Sequence, residues 1–191
     1  IPDGVFNFVT GPGSTLGEAL INNPDVAGIT FTGSYEVGMN IYCNFGHARY
    51  VRPTILELGG KNPVLVSRLA DVEDAALGSV RSAFGLQGQK CSACSRVFIE
   101  EPLYEAVTKR MVELTEKLSI GDPTELQTYM GPVINKKSYT DYQRFMEDLS
   151  AAGKVLVGGK TLTEGALAKG YFCAPTIVAD VPLSHPLWKQ E

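Results

Sequence analysis

A carboxylate and a thiol carry the chemistry this sequence advertises: Glu57 within Glu-Leu-Gly-Gly-Lys, and Cys91 within Gly-Gln-Lys-Cys-Ser-Ala-Cys-Ser-Arg. A thiol attacks carbon as its thiolate, and a carboxylate activates water when held near the reacting carbon. The pair therefore suits two-step covalent chemistry at a carbonyl, with Cys91 as nucleophile and Glu57 as base. Gly88-Gln-Lys90 before the cysteine and Ser92 after it make a polar, glycine-bearing setting, which favours an accessible thiol over the buried inert state common for cysteine. Glu57 closes an apolar strand, where a carboxylate is expected to be partly desolvated and its pKa raised toward a range useful for a base. A structural glutamate paired with Lys61 or Arg52 is the competing reading.

Two glycine-bearing turns could face a phosphate. Phe31-Thr-Gly-Ser34 precedes a helical stretch, so free amides and a hydroxyl at the helix start could meet a pyrophosphate, aided by the helix dipole; a plain serine cap would look the same. Gly11-Pro-Gly13-Ser-Thr-Leu-Gly17 resembles a dinucleotide fingerprint but is one residue too long and lacks the acidic residue expected downstream, so a tight turn before a helix is the favoured reading. Cys91 and Cys94 form Cys-x-x-Cys, readable as a redox pair or half a zinc site. A zinc site needs a second ligand pair, and only the distant His47 and His185 are on offer, so no metal is expected.

These residues need a scaffold, and the periodicity supplies an alternating one. Strands are expected at Gly4–Val9, Val26–Thr32, Thr54–Leu58, Asn62–Ser67, from Arg96 to Glu100, Val155–Val157 and Pro175–Val178. Helices are expected through Leu20 and Ile21, through Val37, Ile41 and Phe45, from the Asp71 cap to Gly85, and along Leu103, Val107, Met111, Leu114 and Leu118. A last one runs from about Ser138 to Ala152, burying Tyr142, Phe145 and Leu149. Such alternation predicts an α/β protein with a largely parallel sheet and ligands at the carboxyl ends of its strands, where Gly33, Ser34 and Glu57 fall.

The bulk properties narrow the partner. With 44% hydrophobic and 20% charged residues the chain is ordinary for a globular protein, which argues against disorder. A net charge of −4, without a basic run, speaks against nucleic acid or an anionic membrane surface and for a small molecule. Four scattered cysteines suggest free thiols and a reducing, cytoplasmic compartment. The chain starts inside an expected strand without methionine and stops straight after Trp-Lys-Gln, which suggests a fragment.

Four segments in this order, Phe-Thr-Gly-Ser at 31–34, Glu-Leu-Gly-Gly-Lys-Asn-Pro at 57–63, Phe-Gly-Leu-Gln-Gly-Gln-Lys-Cys at 84–91 and Ser95-Arg96, resemble the aldehyde dehydrogenase superfamily. The resemblance implies an aldehyde dehydrogenase-like α/β fold. Residues 1–62 would be the C-terminal part of a Rossmann-type NAD(P)-binding domain, and 63–191 most of an α/β catalytic domain, truncated at its end. It implies that Cys91 attacks the aldehyde and that Glu57 activates water against the resulting thioester. It further implies that NAD or NADP is held by Gly33 and Ser34 (pyrophosphate), Val37 (adenine), Leu58 and Gly59 (nicotinamide) and Glu191 (ribose). The cysteine loop and Arg49-Tyr-Val-Arg-Pro are similar to the 1-pyrroline-5-carboxylate dehydrogenases of proline breakdown, which oxidise L-glutamate γ-semialdehyde; there Ser92 would help hold the substrate carboxylate. Another semialdehyde or broad-range aldehyde dehydrogenase is the alternative, and a non-catalytic nucleotide-binding module the alternative of another class. The family associates as oligomers, implying a homo-oligomeric parent. Its second oxyanion donor would lie before Ile1, and an oxyanion hole one donor short loses roughly 3 kcal/mol, so little activity is expected of the segment alone.

Overall fold

The structure, a computed structural model, describes residues 1–47 and 50–190. The chain divides into two compact units, Ile1–Gly59 and Gly60–Glu191.

The first unit is a βαβ crossover with a leading helical turn. Parallel neighbours need a long connection: β1 (Ile29–Thr32) and β2 (Thr54–Glu57) pair parallel from Ile29 opposite Thr54 to Thr32 opposite Glu57, joined through α2 (Tyr35–Phe45). A wide turn over Gly13–Gly17 leads into α1 (Glu18–Asn22). Ile21, Ile41 and Phe45 form the buried core, with Val26, Ile29, Phe31 and Leu56 packed against it. Arg52 ties this unit together. Its guanidinium lies 3.6 Å from the centre of the Phe45 ring and donates to the carbonyls of Asn23 (2.9 Å), Val26 (3.1 Å), Ile21 (3.3 Å) and Phe45 (3.0 Å). A cation there satisfies carbonyls that the ends of α1 and α2 leave open.

Two expectations fail here. Gly4–Val9 forms no strand: Val5, Phe6, Phe8 and Val9 are each at least 66% exposed. Apolar alternation needs a neighbouring strand to hydrogen-bond with, and none of the described strands pairs with it. The Val26–Thr32 strand shortens to Ile29–Thr32, and both strands alternate between half-buried and exposed residues, because only one face is packed.

In the second unit β3 (Asn62–Val66) and β4 (Cys94–Ile99) pair parallel, with α3 (Val72–Phe84) between them in sequence and α4 (Glu101–Glu116) after them. Val66, Ala76, Val80, Val107 and Met111 are the core, reached from the sheet by Val64, Val97 and Ile99. Asp71 caps α3 as its spacing predicts, accepting from the Asp74 amide at 3.0 Å. Glu73 of α3 and Arg110 of α4 join in a two-bond pair of 2.5 and 2.9 Å, which holds the Glu73 carboxyl below the usual range. The buried hydroxyls of Ser79 and Thr115 donate back to Ala75 and Met111, each at 2.7 Å.

The last third departs from the expected parallel sheet. α5 (Lys136–Ala152), capped by Asn135, leads to β5 (Lys154–Val157), which pairs antiparallel with β6 (Ile177–Ala179). The linker between these strands holds no α-helix but a short 3-10 turn and the Thr161–Cys173 bridge, so it returns as an excursion beside the strand it left. The described strands thus form three separate pairs rather than one sheet. On α5 the buried residue is Met146, whereas Tyr142, Phe145 and Leu149 are half-buried. Tyr142 stands where its hydroxyl can reach partners, 2.9 Å from the Ala174 carbonyl and 2.8 Å from Thr176 Oγ1.

Candidate active site

Cys91 sits in a turn between α3 and β4 with its residue surface exposed. Capped by Asp71 and packed through Ala76 and Val80, α3 delivers the chain to Gly85, and the backbone then winds left-handed: φ is 52° at Leu86, 57° at Gln87 and 71° at Gly88. Only glycine takes that region freely, so Leu86 and Gln87 are held against their preference, a condition that recurs at functional loops. Pairing of the ends holds them. Gln89 Oε1 accepts from the Ile134 amide at 3.1 Å, Ala93 N donates to the Lys90 carbonyl at 3.0 Å, and the Cys94 amide donates to Ser82 Oγ at 3.2 Å.

Asn62, at the start of β3, reaches into the same turn: its Nδ2 donates to the Cys91 carbonyl at 2.6 Å and to the Ala93 carbonyl at 3.3 Å. Among the described residues the Cys91 N–H has no partner, leaving it available as a donor beside the sulfur. Ser92 is exposed next to it.

The other thiols of this unit differ. Cys94, three residues on, begins β4 and is buried; burial pushes its thiol up, although hydrogen bonds from the surrounding backbone offset part of this. Cys173 is 7% exposed, and burial pushes its thiol up to about 11. A raised pKa means little thiolate near neutrality, so both are poor nucleophiles. One cysteine displayed and the other folded into a strand do not make a matched redox pair, and all four cysteines are free. Among the described residues no group of three His, Cys, Asp or Glu could hold a metal ion.

In the first unit the carboxyl end of the β1–β2 pair gathers Gly33, Ser34 and Glu57. The Gly33 N–H donates to the Glu57 carbonyl at 3.0 Å, continuing the ladder, so this amide is engaged rather than free. Ser34 caps α2, with Oγ accepting from Val37 N at 3.4 Å, and the exposed first turn of that helix leaves further amide donors open. Val37 is 48% exposed beside it, and Leu58 is half-buried with its methyls closing over Gly38 of α2, where a side chain would collide with them. Gly59 is exposed. A hydroxyl, open amides and an apolar surface at a helix start fit, in kind, the pyrophosphate and adenine of a dinucleotide. Glu57 is exposed, against the desolvation expected for it, since the alternation of β2 turns Thr54 and Leu56 inward and Ile55 and Glu57 outward. Glu57 makes no ion pair among the described residues, and Arg52 is committed to backbone carbonyls. Glu191, like Arg49 of the upstream motif, lies outside the described residues.

The anchoring bonds of Asn62 and Gln89 and the left-handed backbone of Leu86 and Gln87 went unread in the sequence. The glycines at 85 and 88 bracketed an unusual turn, and a lone asparagine entering an apolar strand was the signal for Asn62. Two hollows of this unit lie elsewhere, one beside His185 and Arg144 and one beside Arg96 and Trp188; Cys91 lines neither.

With this geometry in place, the chain is assigned: the aldehyde dehydrogenase family pattern matches residues 1–191, and the chain belongs to that family. Among its relatives, 1-pyrroline-5-carboxylate dehydrogenase of Geobacillus kaustophilus is 41% identical over 195 residues, and that of Bacillus subtilis also 41% over 195. In each case all of this chain is covered but only 37% of the relative, so the chain spans about a third of their length. Among solved structures, Thermus 1-pyrroline-5-carboxylate dehydrogenase with bound NAD superposes with a TM-score of 0.92 at 38% identity, over all of this chain and 37% of that one. An aldehyde dehydrogenase of Bartonella henselae gives 0.92 at 32% identity, over 100% and 40%. No described helix is long and apolar enough to cross a membrane.

Proposed function

We propose that the whole protein oxidises an aldehyde to a carboxylate through a thioester on Cys91, using NAD or NADP, and that its substrate is L-glutamate γ-semialdehyde. The observation that carries this reading is the display of one thiol: Cys91 is exposed on an anchored turn with a free N–H beside it, while Cys94 and Cys173 are buried. In the first step Cys91 Sγ bonds to the aldehyde carbon, and the oxygen that gains charge is stabilised by the Cys91 N–H. The chemistry supplied by a bound nicotinamide is acceptance of the hydride that leaves that carbon. Glu57 then takes a proton from the water that attacks the Cys91 thioester, releasing the carboxylate and restoring the thiol. Gly33 and Ser34 would face the pyrophosphate, with the Ser34 hydroxyl and the open amides at the start of α2 as its donors, Val37 would face the adenine, Leu58 and Gly59 the nicotinamide, and Glu191 its ribose. Residues 1–62 would belong to the coenzyme domain and 63–191 to the catalytic domain, a boundary three residues beyond the division between the two compact units at Gly59 and Gly60. Ser92 would help hold the substrate carboxylate.

The substrate assignment rests on the 41% identity to 1-pyrroline-5-carboxylate dehydrogenases, and NAD use on the bound NAD of the Thermus relative. Four free thiols fit a cytoplasmic setting. A homo-oligomeric assembly and slow turnover by the 191 residues alone complete the proposal. Steady-state kinetics of the whole protein on glutamate γ-semialdehyde, succinate semialdehyde and betaine aldehyde test it. The highest kcat/KM is expected for the first; equal values for all three would overturn the substrate assignment.

A further inference from the structure

Three successive residues at the entry to β3 meet the Cys91 turn or the strand that follows it, and Asn62 is the one that bonds to the turn's backbone. Gly60 passes so near that a Cβ built on it would stand 3.1 Å from the Cys91 carbonyl oxygen, so a side chain there would press on the turn. The Lys61 carbonyl accepts from the Arg96 guanidinium. Asn62 Nδ2 spends both of its hydrogens on the turn, one on the Cys91 carbonyl and one on the Ala93 carbonyl. The ladder itself is irregular here: Asn62 stands opposite Cys94 and Pro63 opposite Arg96, leaving Ser95 as an extra residue. Bulges of this kind re-aim the side chains beside them, and Pro63 has no N–H to hold a regular register.

The Cys91 carbonyl belongs to the peptide that joins Cys91 to Ser92, so holding that oxygen fixes the direction in which the chain leaves the nucleophile. The second bond, to Ala93, grips the far side of Ser92. We infer that Asn62 is a positioning residue, whose side-chain amide donates to both carbonyls and thereby keeps the Cys91 sulfur aimed at its electrophile. This rests on the reading of Cys91 as nucleophile. An acceptor cannot do the same work: Asn62→Asp keeps the shape of the side chain but sets a carboxylate against two carbonyl oxygens.

The test is the kinetics of Asn62→Ala and Asn62→Asp in the whole protein, with Cys91→Ser as control and a thermal melt to confirm folding. Loss of the two bonds should lower kcat about five- to tenfold, with KM for aldehyde and cofactor within about twofold and Asn62→Asp at least as impaired as Asn62→Ala. Wild-type kcat in both variants, or in Asn62→Asp alone, overturns the positioning role while a silent Cys91→Ser leaves the nucleophile standing. Turnover by Cys91→Ser overturns the nucleophile reading and this inference with it. Should Asn62→Ala fail to fold, the isosteric Asn62→Asp decides by the same kcat criterion.

Discussion

The first unit offers its candidate ligand groups largely through a helix end, with the Ser34 cap at 3.4 Å, open amides of α2 and an exposed Glu57, while its Gly33 amide is taken up by the strand ladder. The second holds one side chain, Cys91, in a turn gripped by Asn62, Gln89 and the Ser82–Cys94 contact. Both units are built on a parallel strand pair, yet one displays a surface and the other aims an atom. On the proposed function the first unit would hold a dinucleotide over many weak contacts, for which a helix start and small residues suffice. On the same proposal Cys91 would act through a single bond, for which misplacement by about 1 Å is expensive, and a pinned backbone around it fits that demand.

The comparison breaks most sharply at the thiol. Cys91→Ala in the whole protein is expected to lower kcat by about 10⁴-fold or more, whereas Cys43→Ala, exposed on α2, should leave kcat within about twofold; steady-state rates separate them. Core truncation asks whether each unit rests on its own packing. Phe45→Ala in the first and Met111→Ala in the second should each cost about 2–5 kcal/mol in denaturant unfolding, because Phe45 is fully buried and Met111 is 6% exposed.

A pH series of alkylation sharpens the contrast among thiols. The Cys173 thiol is raised to about 11, so its thiolate, and with it iodoacetamide labelling, stays scarce at pH 8 and grows only as pH climbs toward that value. Peptide mass spectrometry should find Cys91 labelled before the buried Cys94 and Cys173, with Cys173 about 100-fold slower. The smallest effects come from the helix caps. Asp71→Ala should cost about 1 kcal/mol of thermal stability, and Ser34→Ala, whose bond is longer, about half as much, its main effect being a higher KM for cofactor.

Helices were legible because their signals are local. The Asp71 cap, the stripe through Ala76 and Val80, and the α4 face through Val107 and Met111 depend on nothing beyond one turn. Strands depend on partners: Gly4–Val9 has the right alternation and no neighbour, while β5 and β6 pair antiparallel because of what lies between them. Cys91 and Glu57 could be picked out as candidates because their residue types and glycine-rich settings are local too, and the exposure expected of Cys91 is found. Asn62 could not, because its role consists of two bonds to carbonyls far along the chain. The exposure of Glu57 likewise followed from which face of β2 is packed, a tertiary fact that its strand-end position does not encode.

The most direct test of the account is intact and peptide mass spectrometry of the whole protein carrying Glu57→Gln, mixed with NAD and glutamate γ-semialdehyde. Without its base the thioester should form and persist, giving a glutamyl adduct on Cys91 and one equivalent of NADH per active site. Steady turnover by that variant, or an adduct on any residue other than Cys91, would contradict it.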